Sequence, residues 1–193
     1  MNRAFRLVAG LLLPAKQLFF PTVFRDIVPL GAKTLPFDDH IEGKNVIALG
    51  TPDALIGSYM LLERFLDGSP LPARLGFASV QSAGTYEVER TGERTIEITT
   101  PLGMNRSQFS AVFRDHGYVA GERDRGSGFD VEVLEVLPSG IPSRIRLEIE
   151  DPPENQRWIV WTDAGWEELP LFAIGEKRTF EGVDLMDEIG RAH

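Results

Sequence analysis

Apolar and polar residues alternate most strictly between Phe129 and Glu150. Phe129, Val131 and Val133 are interleaved with Asp130, Glu132 and Leu134, and Ile145, Leu147 and Ile149 with Arg144, Arg146, Glu148 and Glu150. A period of two predicts a pair of half-buried antiparallel strands, each with one face on a core. Between them Pro138, Ser139, Gly140, Ile141 and Pro142 supply the backbone angles of a reversal. Glu132 and Glu135 then face a strand carrying Arg144 and Arg146, and opposite charges across a ladder stabilise it mildly.

Upstream, Asn45–Gly50 (NVIALG) is a continuous apolar run, as in a strand buried on both faces. Thr51, Pro52 and Asp53 open a helix: Thr51 caps it, Pro52 fits the first turn, and Asp53 suits the positive end of the dipole. That helix is expected over about 52–67, with Leu55, Tyr59, Leu62 and Leu66 on one face and Ile56, Met60 and Phe65 widening it. A return strand from Arg74 to Ser79 would complete a β-α-β unit. Beyond it the chain reads as β. A hairpin joins Tyr86–Arg90 to Arg94–Thr99, with Tyr86 and Val88 facing Ile96 and Ile98. Phe109–Phe113 is a short strand and Gly121–Gly128 a charged loop. Trp158–Trp161, Trp166–Leu171 and a stretch near Arg178–Phe180 follow the central hairpin. The expected fold is α+β and mostly β: an antiparallel sandwich or partly open barrel with one packed helix and an apolar, proline-broken N-terminal segment.

The pattern also divides the chain. Residues 1–37 are rich in Leu, Phe and Pro, 38–182 form the β-rich domain, and 183–193 are an acidic tail expected to fray. In the first segment Arg3, Arg6, Lys16, Arg25 and Lys33 stand against the single acid Asp26. Its apolar run, Leu7–Leu13, is far short of the roughly 20 residues a membrane-spanning helix needs. Pro14, Pro21, Pro29 and Pro36 break it into pieces. The segment reads as a signal-like opening, as an interfacial anchor, or as a helix on the domain's own core. So many apolar groups need cover from the domain, from a second copy, or from lipid. The partners to expect are therefore a membrane surface, a membrane protein, or another copy meeting this one through the N-terminal segment. A cytoplasmic location is the alternative to membrane association.

Composition removes other classes. A net charge of −9 disfavours nucleic acid as a partner. The absence of cysteine removes disulfides, thiolate metal sites and cysteine nucleophiles. With only His40, His116 and His193, no metal site and no cofactor is expected.

Candidate chemistry is sparse. Helix starts such as Thr51–Asp53 attract anions, but Pro52 deletes one donor and Asp53 puts a charge where the anion would sit. Capping explains the same residues. In Asp39-His40 and Asp115-His116 a carboxylate neighbours an imidazole, yet adjacent strand residues point to opposite sides. Ser107 and Ser110 lack a nucleophile-elbow context. Asp115, Glu122, Asp124 and Asp130 offer oxygen ligands, but Arg123 and Arg125 occupy the alternate positions, so a solvated, self-paired loop is expected there. Trp158 and Trp161 fall on opposite faces of a strand, one expected in the core and the other as an exposed contact. The candidate binding residues are Thr51, Asp53, His116, Trp158 and Trp161. No catalytic set is assigned.

In order along the chain, NVIALGTPD, LLERFLDGSPLPARL, FDVEVLEVLPSGIPSRIRLEIED and RWIVWTDAGWEELP resemble the soluble C-terminal region of uncharacterised bacterial multispanning membrane proteins. The resemblance spans about residues 40–180 and implies that the proline-rich start is the chain leaving a membrane part. It implies no activity. The expected function is a non-catalytic binding or scaffolding domain associated with a membrane or a membrane protein. The alternative is a small hydrolase or an anion- or ligand-binding enzyme using the Thr51–Asp53 helix start or Asp115-His116.

Overall fold

The structure, a computed structural model, describes residues 28–38, 40–51, 54–78, 84–104 and 116–183. Its elements in chain order are α1 (Val28–Thr34), β1 (Asn45–Leu49), α2 (Ala54–Leu66), β2 (Arg74–Phe77), β3 (Gly84–Arg90), β4 (Thr95–Thr99), β5 (Arg123–Arg125), β6 (Phe129–Val136), β7 (Pro142–Ile149), β8 (Arg157–Thr162), β9 (Gly165–Glu168) and β10 (Lys177–Gly182). The fold is α+β and mostly β, with two sheets packed face to face. The smaller sheet has the order β2-β1-β8-β9 and the larger β10-β3-β4-β7-β6-β5.

The larger sheet is antiparallel throughout. Its β6–β7 hairpin sets Glu132 opposite Arg146 and Glu135 opposite Arg144, with register shifts on either side of Glu135. Tyr86, Val88, Ile96 and Ile98 share its inner face. The smaller sheet is mixed. β1 runs parallel to both β2 and β8, because α2 carries the chain back across the sheet between β1 and β2. β9 then returns antiparallel on β8.

Two apolar clusters lie on the two sides of the smaller sheet. Ile47, Leu49, Trp158 and Val160 meet the inner face of the larger sheet, whereas Val46, Ala48, Ile159 and Trp161 meet Tyr59 and Met60 of α2. The molecule is thus layered: helices, mixed sheet, antiparallel sheet. That layering explains why NVIAL is apolar without alternation.

The apolar stripe of α2 is shorter than its sequence suggests. Tyr59 and Met60 are buried and Leu61 and Leu62 partly so, but Phe65 and Leu66 stand exposed at its end. The side chains of Leu55 and Ile56 lie outside the described residues. A second helix, α1, comes from the end of the N-terminal segment, with Pro29 in its first turn where a missing N–H costs nothing. Gly31 brings it close to α2, for a Cβ there would run into the Met60 side chain. Ala32, Leu35 and Phe37 are buried, the latter two in the helix-side cluster, and the Arg64 guanidinium lies 5.5 Å from the centre of the Phe37 ring. At the other end Val183 is buried in the same cluster, so the chain stays packed through the first residue of the expected tail.

The charged stretch Gly121–Gly128 is less of a loop than expected, since Arg123–Arg125 joins the larger sheet as edge strand β5. The expected strand Phe109–Phe113 and the residues Asp39, Ser107, Ser110 and Asp115 lie outside the described residues. Among the described residues no helix is long and apolar enough to cross a membrane.

Candidate functional site

The carboxyl end of β1 carries the least usual local chemistry. Gly50 turns there with φ +64°, a left-handed conformation that glycine adopts without a Cβ penalty. Thr51 follows, fully buried, with its methyl side toward Gly57 of α2. Its hydroxyl makes no hydrogen bond, so Thr51 does not cap α2 through its side chain as expected. Packing took it instead: the methyl sits beside Gly57, where an added Cβ would come within 3.2 Å of it. Tyr86 reaches the same place from β3. It is completely buried, its ring stacks on Phe180 at 5.5 Å, and its hydroxyl lies against Gly50 without a hydrogen-bond partner. Burial pushes the Tyr86 phenol above its ordinary range, so it stays protonated. Two unsatisfied hydroxyls thus flank the start of α2. Asp53 lies outside the described residues.

The other candidates do not join this group in an open cleft. His116 is exposed and sits by the β6–β7 turn, where the Tyr118 N–H donates to the Gly140 carbonyl at 2.9 Å. Trp158 and Trp161 do lie on opposite faces of β8, yet both are buried, at 3% and 2% exposure. The expectation of one exposed tryptophan fails because the smaller sheet is covered on both sides. Trp158 donates from Nε1 to the Pro153 carbonyl at 3.1 Å. Trp161 packs edge-on to Trp166 with ring centres 5.1 Å apart, and Trp166 donates to the sulfur of Met60. These rings are core. Among the described residues no cluster of three or more His, Asp or Glu could hold a metal ion.

Among the described residues the outer face of the larger sheet is one open surface feature. Strand registers align one charged row across all its strands: Lys177, Glu89, Glu97, Arg146, Glu132 and Arg123. Glu97 is its buried centre. Oε2 accepts from Arg144 at 2.6 and 3.1 Å, and Oε1 from Arg146 at 2.9 and 3.1 Å. Burial alone would raise the Glu97 carboxyl, but the hydrogen bonds and charges of the two arginines outweigh it and hold it below the ordinary carboxylate range. Toward β5 the face dips into an open groove of about 460 Å³ with Arg123, Arg125, Arg146, Asp130, Glu132 and Glu148 among its walls. Arg123 pairs with Glu132 at 3.2 Å and Arg125 with Glu150 at 2.7 Å. Both arginines are about three-quarters exposed, and such pairs hold weakly enough to be exchanged for a partner's charges.

Sequence reading placed these charges outward but missed both Glu97 as a buried hub and the Tyr86 hydroxyl. Glu97 looks like any outward residue of an alternating strand, and only two arginines spaced by two opposite it hint at more. Nothing local marks Tyr86, because its contact with Gly50 joins different sheets. Compared with protein-family models, with curated proteins and with solved structures, the chain matches none.

Proposed function

We propose that this protein is a non-catalytic binding module working at a membrane surface or on a membrane-protein partner, with its N-terminal stretch as the attachment and the charged outer face of the larger sheet turned to a partner. The observation that carries the reading is how the N-terminal segment joins the domain. Ala32, Leu35 and Phe37 are buried and Gly31 fits against Met60, so the stretch before α1 departs from a firmly seated helix. That stretch holds four cations against one acid, among clusters such as Leu11–Leu13 and Leu18–Phe20. Cationic stems can lie along apolar surface while their heads reach phosphates, and the acidic body keeps away from an anionic bilayer.

In a flotation experiment the intact chain should rise with vesicles containing anionic lipid. Leu12→Glu and Phe19→Glu in the intact chain should each lower the bound fraction several-fold, since a buried side chain of this size is worth about 1.5–3 kcal/mol. An intact chain that stays below the vesicles overturns the membrane reading.

A second reading, a ligand site at the start of α2, is favoured by the two buried hydroxyls without partners. A hydroxyl buried for no partner costs stability, so Thr51→Val should raise the unfolding free energy measured by chemical denaturation by about 1 kcal/mol. A fall of that size would mean the hydroxyl is satisfied and would remove this reading.

A further inference from the structure

Among the described residues the larger sheet ends on β10, whose outer edge has the chemistry to pair with itself. In β3 the backbone groups alternate in direction. Thr91 N–H donates to the Thr95 carbonyl at 3.0 Å, which sets the groups of Glu87 and Glu89 toward β4. Arg90 N–H donates to the Glu176 carbonyl at 3.2 Å, which sets those of Tyr86 and Val88 toward β10. Val88 opposes Arg178 and Tyr86 opposes Phe180. Arg178 and Phe180 therefore use their N–H and C=O groups on β3, while Lys177, Thr179 and Glu181 turn theirs to the outer edge. The same three residues carry exposed side chains, whereas Arg178, Phe180 and Gly182 are half-buried.

We propose that β10 is a dimerisation edge on which a second copy of this chain docks, antiparallel, about a two-fold axis through Thr179. In that register Lys177 lies opposite Glu181 of the second copy, Thr179 opposite its counterpart, and Glu181 opposite Lys177, each pair exchanging both of its N–H···O bonds. Outward groups meet outward groups at all three positions. The charges match twice, and Thr–Thr is a favourable cross-strand pair. Moving the axis to Phe180 sets Thr179 against Glu181 and takes Lys177 away from any acid, so charge selects the first register. A lysine on an edge strand ordinarily discourages pairing, but here its opposite number is a carboxylate. Lys177 leans toward Glu87 and Glu89 at 3.3 and 3.6 Å, while Glu181 has no ion-pair partner among the described residues. On the inner side, Arg178, whose guanidinium sits 4.5 Å from the centre of the Phe172 ring, comes opposite Phe180 of the second copy. The occupant is a second copy because both halves of the charge match belong to one strand. The charge match and the backbone pairing involve only residues of β10.

The test is sedimentation equilibrium of the intact protein and its variants. The wild type should show a concentration-dependent dimer. K177E and E181K should each weaken it by about tenfold or more, because both matched pairs become like-charge pairs. Mixing the two variants should restore wild-type affinity, since every acid then faces a base again. T179P removes an outward N–H while sparing the ladder to β3, and should abolish the dimer. A wild type that is monomeric throughout overturns the proposal. So do variants that associate as the wild type does, or a mixture no tighter than its components.

Discussion

Gly50→Ala should lower stability by about 3–5 kcal/mol, a large effect for a single added methyl group. Two costs combine. Alanine at φ +64° pays about 1–2 kcal/mol for the left-handed conformation alone. The new Cβ would then overlap the Tyr86 hydroxyl oxygen and lie 3.0 Å from the ring carbon that bears it. Tyr86 cannot swing aside, because it has no exposed surface and stacks on Phe180, which stacks in turn on Phe172. Adding Tyr86→Phe should recover part of the loss by removing the overlapping oxygen. On its own Tyr86→Phe should change the denaturant midpoint little or raise it, since the hydroxyl has no partner to lose. The cycle of the two substitutions measures the overlap. If Gly50→Ala is as stable as the wild type, Tyr86 does not sit where it is described.

Why this contact was hidden in the sequence, while others were open, follows from distance along the chain. The β6–β7 hairpin and its Glu–Arg pairs were legible because alternation sets the faces and a short turn sets the partners. The β1–α2–β2 unit was legible for a similar reason: an apolar run, a helix start and a return strand follow one another directly. Alternation says which residues share a face, but not whether the other face is covered. For that reason Trp158 and Trp161 were correctly separated, and one was wrongly expected in solvent. The same blindness stretched the apolar stripe of α2 to Phe65 and Leu66, which stand exposed at its end. Tyr86 meets Gly50 only because the two sheets stack. Likewise the outward groups of β10 are defined only once β10 lies on β3, nearly a hundred residues earlier.

Glu97→Gln should cost about 2–4 kcal/mol at neutral pH, more than any other charge removed from the sheet surface. Glu97 is 8% exposed and accepts four hydrogen bonds from two guanidinium groups. An amide in its place offers one acceptor oxygen and turns a donor toward an arginine. The loss stays below that of a fully buried pair because Arg144 and Arg146 are about 40% exposed and keep Glu135 and Glu132. The pH dependence separates this from a packing defect. The folded state holds the Glu97 carboxyl below its ordinary value of 4.5, so the unfolded chain binds its proton first as pH falls. The stabilisation is therefore full above about pH 4.5 and drains away as pH drops through the lower folded value. Wild type and Glu97→Gln should differ most at neutral pH and converge in acid, the variant showing the shallower acid limb. Chemical denaturation at intervals from pH 7 to pH 3 measures the difference. Parallel curves would mean that Glu97 contributes through shape and not through its charge.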